Sequence, residues 1–159
     1  MRIKTIIAAA LLSIIVCTAA SAQAPAYRGQ GYKGSAGLSV TLIYPQIETT
    51  HGYMINSNHF IGGGVSMIWL PSVLMAKEFI DYQWFFKDAT NTPMVGAQLG
   101  LMQVEDNYCF FEPRFGWNWA LNDNLGITAS GGLLLGLKDD GEAFVPAILV
   151  PAIHVCLEF

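Results

Sequence analysis

The residues of this 159-residue chain that could do chemistry are a few charged side chains and a histidine close to the end. Read with a period of two, they share a face with glycines and small polar residues, opposite the bulky apolar residues. Charges enclosed in a narrow space must pair, because an isolated buried charge is costly. We predict a structural network of paired charges; the alternative interpretation is a proton or ion path, or a gated pore. The predicted network consists of Glu48, Lys77, Asp81, Glu112, Arg114, His154 and Glu158, with Arg114 near its centre.

No motif in the sequence predicts a reaction. The histidines are His51, His59 and His154, and serines are plentiful, but no G-x-S-x-G occurs. A catalytic triad needs a geometry that presence alone does not provide. No C-x-x-C spacing indicates a metal site. Strict alternation puts His51 on the apolar face, although a bulge at Gly52 could turn it inward. The sequence therefore predicts no enzyme, no catalytic or metal-ligating residue and no cofactor.

Eight segments of alternating polarity carry these residues, and turn-forming residues separate them. Each segment reaches the roughly 9–11 residues with which a tilted strand crosses a bilayer. The predicted fold class is all-β, an eight-stranded antiparallel up-and-down transmembrane β-barrel. The predicted strands are 35–44, 47–56, 59–70, 76–86, 93–104, 108–121, 125–137 and 147–159.

The apolar face of these segments favours a lipid environment. The chain is 53% hydrophobic and 13% charged, where a typical soluble chain is about 25% charged. No apolar run after the N-terminal segment approaches the ~20 residues of a spanning helix, and lipid tolerates strands only in a closed barrel. A soluble ligand-binding barrel would carry its charges outside. The last strand shows the pattern most clearly, with Leu149, Pro151, Ile153, Val155, Leu157 and Phe159 on one face.

The N-terminus predicts export. Residues 1–22 read as a cleaved secretory signal, with the basic Arg2 and Lys4, an apolar stretch and a small-residue cleavage site. Residues 23–34 are predicted to form a short periplasmic segment and residues 35–159 the barrel. Loss of Arg2 and Lys4 leaves six basic residues against twelve acidic ones, a net charge near −6. That charge disfavours nucleic acid as a partner.

Prolines within two of the segments predict irregularities in the strands, and turn-forming residues predict where the hairpins close. Pro113 and Pro151 lie inside predicted strands, where each removes a ladder hydrogen bond, so they are interpreted as marks of bulges or shifted boundaries. Cys109 and Cys156 fall on opposite faces of different strands and are predicted to be free thiols. The inner turns are predicted at 56–58, 87–91 and 122–124, and the outer loops at Pro45-Gln46, 71–75, 105–107 and 138–144.

Two adjacent stretches carry a family resemblance. Thr49 to Asn56, followed by Phe60 to Val65, places a strand, a tight Asn-containing turn and a Gly-rich strand in succession. This pattern resembles the outer-membrane β-barrel domain proteins sometimes labelled porin-family. With the signal, the eight segments and the terminal Phe159, the mature chain resembles small bacterial outer-membrane barrels typified by OmpX and the OmpA membrane domain. The resemblance is specific for architecture, and it implies outer-membrane location and a structural or cell-surface interaction role without a reaction.

The resemblance also implies partners. These are outer-membrane lipid and the barrel-assembly machinery, for which Val155, Leu157 and Phe159 would form the assembly signal. No surface partner is indicated. The alternatives are a narrow pore for small solutes, a lipid-modifying barrel enzyme and a soluble periplasmic barrel. Aromatic residues on the apolar face are predicted to form interfacial girdles, which include Trp69, Trp84, Trp117 and Trp119.

Overall fold

Eight antiparallel strands close into a barrel in the computed structural model, which describes residues 28–42, 44–69, 74–103, 107–139 and 144–159. Each strand pairs with its neighbours in sequence, and β1 pairs with β8. The predicted fold class, an all-β up-and-down barrel of eight strands, is confirmed for these residues. The strands are β1 Gly31–Thr41, β2 Tyr44–Asn56, β3 His59–Trp69, β4 Leu74–Phe85, β5 Asn91–Gln103, β6 Asn107–Ala120, β7 Gly126–Asp139 and β8 Phe144–Glu158.

Alternating side chains divide each strand between an inner and an outer face, as the pleat of a β-strand requires. In β4 the inner face buries charged, polar and aromatic residues in turn. The outer face of β4 exposes Ile80, Tyr82 and Trp84. It also exposes Glu78, four residues from the start of the strand, so the outer face carries a charge among its apolar residues. The buried side chains of β4 are Met75, Lys77, Phe79, Asp81, Gln83 and Phe85.

The two ends of the barrel differ in what they carry. One end, called here the terminal end, holds the start of β1, Phe159 and the turns after β2, β4 and β6. The opposite end, called the loop end, holds the connections after β1, β3, β5 and β7. Within the described residues, no helix is long and apolar enough to span a membrane. The predicted signal of residues 1–22 lies outside the described residues.

Several predicted boundaries move. β1 begins at Gly31, not at residue 35, so part of the predicted N-terminal segment belongs to the barrel. The predicted loop at Pro45-Gln46 is wrong, because β2 already begins at Tyr44. The chain turns instead at Leu42, whose φ of 58° lies in the left-handed region that a leucine rarely adopts. Predicted β8 also started too late, since that strand begins at Phe144.

Neither Pro113 nor Pro151 causes a bulge, because the strand pairing keeps its register across both residues. Register is unchanged across Pro113, where Phe111 pairs with Leu135 and Arg114 with Gly132. The residues Glu112 and Pro113 have no partner on β7 between those pairs, which fits the missing N–H of proline. The register shift of the β7–β8 ladder lies between Gly136 and Leu137, and Leu137 pairs there with Pro146.

The seam between β1 and β8 closes the barrel. Seven residue pairs form it, from Ser35↔Glu158 to Thr41↔Ala152. Reciprocal hydrogen bonds between Gly34 and Phe159, of 2.7 and 2.9 Å, extend the seam at the terminal end. The C-terminal residue is thereby part of the closure.

Candidate functional site

A chain of ionic contacts crosses the lumen at mid-height, built by side chains from four alternate strands. Lys77 of β4 donates to Glu112 of β6 at 3.1 Å. His154 of β8 contacts Glu112 through Nε2 at 2.5 Å and Glu48 of β2 through Nδ1 at 3.0 Å. All four side chains are at most 3% exposed. Between two ionised carboxylates both ring nitrogens must donate and carry hydrogen, which is the state in which His154 is positively charged.

A second ion pair lies in the same layer. The Arg114 guanidinium contacts the Asp81 carboxylate, which also accepts a hydrogen bond of 2.6 Å from Gln83. We call Glu48, Lys77, Asp81, Glu112, Arg114 and His154 the middle layer. The structure brings together six of the seven lumen residues predicted from the sequence, and Glu158 lies outside this layer. The side chain that joins two carboxylates within the layer is His154, not Arg114 as predicted. Arg114 pairs with Asp81 beside it.

A third ion pair lies nearer the terminal end. Lys33 Nζ is 3.1 Å from Glu158 Oε2. The Glu158 carboxylate also accepts hydrogen bonds of 2.7 Å each from Asn118 and Thr128. With a charged His154, the buried charges of β1, β2, β4, β6 and β8 comprise four carboxylates and four cations, and the buried Arg28 lies before β1. The carboxylates are Glu48, Asp81, Glu112 and Glu158, and the cations are Lys33, Lys77, Arg114 and His154.

Apolar clusters fill the lumen above and below these charges. The loop-end layer consists of Ile68, Met75, Phe79, Met102, Phe110 and Leu134, with Tyr44, Tyr108 and Val150 packed against it. The terminal-end layer consists of Met54, Phe60, Phe85 and Met94. The two layers enclose the charged part of the lumen between them.

Cations join the charged part to both apolar layers. Lys77 Nζ lies 4.6 Å from the centroid of the Phe110 ring in the loop-end layer. Lys33 Nζ lies 4.2 Å from the centroid of Phe85 in the terminal-end layer. Ammonium groups at these distances are attracted by the ring faces. The lumen is therefore filled by the protein's own side chains, which an eight-stranded barrel is just wide enough to hold.

Two histidines lie on the outer face near the terminal end. No bulge occurs at Gly52, which pairs in register with Gly62, so His51 points outward as strict alternation predicted. His51 Nδ1 is 2.6 Å from the Tyr32 hydroxyl and its Nε2 is 2.9 Å from the Thr49 hydroxyl. His59 repeats half of this arrangement, with Nδ1 2.7 Å from the hydroxyl of Tyr82.

The predicted girdle and assembly-signal residues also lie on the outer face. Trp84, Trp117 and Trp119 lie towards the terminal end and Trp69 at the loop end, each between 40 and 46% exposed. Val155, Leu157 and Phe159 alternate outward along the end of the chain. These positions are geometric facts, and the roles themselves stay predictions.

Sequence reasoning missed Lys33, Arg28 and the two apolar layers. Lys33 was predicted to lie in a segment before the barrel. The alternation that turns Ser35 inward also turns Lys33 inward, because the two residues are two positions apart. Arg28 caps the terminal end, donating to the Lys87 carbonyl at 3.2 Å with its guanidinium 5.5 Å from the Phe85 ring centroid. Apolar residues on the inner face near strand ends were the available signal for the two layers.

The next features are the possible metal ligands and the two cysteines. Among the described residues, no three His, Cys, Asp or Glu side chains are arranged to hold a metal ion. Cys109 and Cys156 are both free, as predicted. The Cys156 thiol is buried and donates to Glu48 at 3.1 Å. It therefore serves as a hydrogen-bond donor within the lumen.

Comparisons with known proteins identify the fold. No protein-family model matches the chain, and no curated protein sequence matches it. Among solved structures, the N-terminal β-barrel domain of Pseudomonas aeruginosa OprF is similar, with a TM-score of 0.64 and 13% identity over 82% of this chain and 98% of that one. Neisserial surface protein A (NspA) is similar with a TM-score of 0.58 and 12% identity, over 81% of this chain and 94% of its own. The chain thus has the fold of small outer-membrane β-barrels.

Proposed function

We propose that this chain is an integral outer-membrane β-barrel protein with a sealed lumen and a structural or cell-surface interaction role. Its barrel would present an apolar outer face to lipid and fill its own interior with paired charges. No reaction is part of this role. The proposal is supported by the polarity of the barrel, by its fold, and by the signal predicted at its N-terminus.

The single observation that carries the proposal is the inverted distribution of side chains. Leu38 is 66% exposed and Ile153 is 64% exposed, whereas Lys77 and Glu112 are fully buried. A soluble protein rarely exposes a contiguous apolar patch beyond a few hundred Å², and water would hydrate the charges. In a bilayer the same distribution is favourable, because the apolar residues face acyl chains and the charges are shielded from them.

Two partners belong to this proposal. Lipid would contact the outer face, with the tryptophans Trp84, Trp117 and Trp119 at one interface and Trp69 at the other. The barrel-assembly machinery would recognise the last strand, whose outward Phe159 resembles the terminal aromatic of outer-membrane barrels. A surface partner would bind at the loop end, where the connections between strands lie.

A narrow pore is the less favoured function. Solutes would have to pass the terminal-end layer, where Met54 and Phe85 are 0% exposed. They would also have to pass the loop-end layer, where Phe110 is equally buried. Between those layers the charges neutralise one another instead of lining a water-filled path.

Cell fractionation with gel electrophoresis tests the proposal. The full chain, expressed in a Gram-negative host, should sediment with outer membranes and resist extraction by carbonate. Its gel mobility should change on boiling, because closed barrels stay folded in detergent until heated. Recovery in the soluble periplasmic fraction, with a mobility that does not depend on heat, would overturn the proposal.

Modification of lipid is the second candidate function, favoured by the hydroxyl–imidazole–phenol chain on the outer face. Thr49, His51 and Tyr32 are connected by hydrogen bonds through both imidazole nitrogens. In the structure the Thr49 hydroxyl donates its one hydrogen to the Ser35 carbonyl at 3.0 Å. If that hydrogen turned to Nε2, the imidazole could take the proton while the Thr49 oxygen attacks the carbonyl carbon of a lipid ester, and the imidazole would return the proton to the alcohol that leaves. The same outward position would bring lipid to the site.

The chain provides a matched control for this second candidate. His59 has the same contact with a tyrosine hydroxyl, but among the described residues no Ser or Thr hydroxyl contacts its other nitrogen. Lipid hydrolysis by the purified protein that is lost in His51→Ala and kept in His59→Ala would support the reaction. Absence of hydrolysis, or equal activity in both variants, would exclude this role for Thr49.

A further inference from the structure

We propose that the loop-end layer of the lumen contains a binding cup for one small, uncharged aromatic ring. The inference goes beyond the proposed function, because it depends on the interior of the barrel and not on the cellular role. It assigns a ligand chemistry to the mouth of the barrel opposite the chain termini.

The cup is a cavity of about 120 Å³ at the loop end. It is open on one side, and its walls come from strands around the barrel. Six of the eight wall residues pack in one cluster with Phe79 and Phe110, whose rings meet edge to face with centroids 6.5 Å apart. The lining residues are Thr41, Leu42, Tyr44, Ile68, Met75, Met102, Leu134 and Val150.

The size of the cup limits its ligand to one ring. Apolar protein cavities of ~150 Å³ lined by aliphatic and aromatic residues stay dry and bind benzene. A cavity of about 120 Å³ that is open at one side has room for a ring of that size. A fused double ring would not fit without displacement of the wall.

The lining chemistry favours an aromatic ring over a charged or strongly polar group. Met75 and Met102 contribute flexible thioethers, which adapt to a ligand and make favourable contacts with ring edges. Thr41 lies in the wall with its hydroxyl oxygen already accepting a hydrogen bond from Gln46. No ionisable carboxylate, amine or guanidinium lines the cup, so a charged ligand would be desolvated without a partner.

The terminal-end layer has a similar composition but a different environment. It also contains two methionines and two phenylalanines. There, however, Lys33 and Arg28 lie 4.2 and 5.5 Å from the centroid of the Phe85 ring and cover it. The methionines of that layer serve as a reference for those of the cup. They lie in an apolar layer of similar composition in which Lys33 and Arg28 cover the Phe85 ring.

Methionine methyl resonances can test the cup. The mature chain, labelled at the methyl carbons of methionine and placed in lipid nanodiscs, carries reporters in three environments. Benzene should cause saturable shifts at Met75 and Met102 and none at Met54 and Met94. The methyl resonance of Met67, which lies on the outer face, should shift only in linear proportion to the benzene concentration, as benzene partitions into lipid. Non-saturable shifts, or similar shifts at all five methionines, would overturn the proposal.

Ligand shape and two variants sharpen the test. Val150→Phe should fill the cup and weaken benzene binding at least tenfold, whereas Val40→Phe on the outer face should leave it unchanged. If Val150→Phe does not fold, Met102→Ala provides a second test. Its enlarged cup should bind naphthalene saturably, whereas the wild-type cup should not. Hexane binding as tight as benzene binding, or naphthalene binding by the wild type, would refute the assignment to a single ring.

Discussion

The two faces of β6 show opposite solutions to the placement of charge. The inner face carries Glu112 and Arg114, both buried and both in ion pairs. The outer face carries Phe111 and Phe115, which are 39 and 59% exposed. Neighbouring residues of one strand therefore face two different environments, the lumen and the outside of the barrel. An arginine is favourable at position 114, where Asp81 pairs with it, and would be unfavourable at position 115.

This difference explains how the barrel tolerates many buried charges with few charged residues overall. Each buried carboxylate of the lumen has a cationic group at a hydrogen-bonding distance, which offsets much of its desolvation. The outer face has no such partners, so any charge there must be hydrated at an interface or be destabilising. Glu78, the outward neighbour of Lys77, is an exposed charge on the outer face that nothing in the structure explains.

Loss of a lumen cation should have the largest effect. Arg114→Ala should lower the free energy of unfolding by about 3–5 kcal/mol, because the buried Asp81 carboxylate loses its cation. Urea unfolding in lipid vesicles measures this change. The matched control is the double variant Arg114→Leu/Asp81→Leu, which removes both charges and should recover most of the loss. An unchanged free energy for Arg114→Ala would contradict the paired interior.

Addition of a cation to the outer face should cost somewhat less. Leu99→Arg should destabilise by roughly 2–4 kcal/mol if the residue lies near the bilayer centre, since Leu99 is 59% exposed on the outer face. Val40→Arg should have an effect of the same sign. Ser39→Thr, on the inner face, keeps the hydroxyl that donates to Glu48 and should change stability little. Full tolerance of arginine at both outer positions would reverse the assignment of the two faces.

Deletion of Phe159 should weaken the closure of the barrel. The residue forms two backbone hydrogen bonds with Gly34, and its ring packs against His51 with centroids 6.4 Å apart. A Cβ at Gly34 would lie 2.6 Å from the Phe159 ring, so a side chain there would displace the ring. We expect several-fold less heat-modifiable protein in outer membranes and a loss of about 1–3 kcal/mol.

A control separates assembly from stability. Phe159→Tyr keeps the ring and both backbone bonds, so its level of folded protein should match the wild type. A normal amount of folded, heat-modifiable protein after deletion of Phe159 would argue against the assembly role of the C-terminus.

The smallest effect is expected at a buried amide. Gln98 is fully buried on the inner face of β5, and neither of its side-chain polar atoms has a hydrogen-bond partner within the described part of the protein. Gln98→Leu should therefore be neutral or stabilising by up to about 1 kcal/mol. A clear loss of stability in the urea titration would show that the amide has a partner, such as bound water, in the lumen.

The sequence predicted the faces of the strands better than their ends. Alternation over whole segments fixes which residues point inward, so Lys77, Glu112 and His154 could be placed from their position in the period. Strand ends depend on turn geometry instead. Pro45 suggested a loop, but the turn is made at Leu42 by a backbone conformation that leucine rarely adopts.

The pairing of the lumen charges was not available from the sequence. Inward direction follows from the period, but contact depends on the register between strands that are far apart in the chain. His154 and Glu48 are separated by 106 positions and meet only because the barrel closes between β8 and β1. The prediction that placed Lys33 before the barrel was wrong. β1 is rich in glycine near its start, and the alternation of apolar and polar residues is too weak there to indicate a strand.

Electrical recording in planar lipid bilayers tests the central claim, a filled and sealed lumen, most directly. The purified mature protein, inserted in its folded and heat-modifiable form, should show no steady conductance above that of the bare bilayer. The charges of the middle layer neutralise one another, and the two apolar layers close both ends. Stable, reproducible open channels from the wild-type protein would contradict this account.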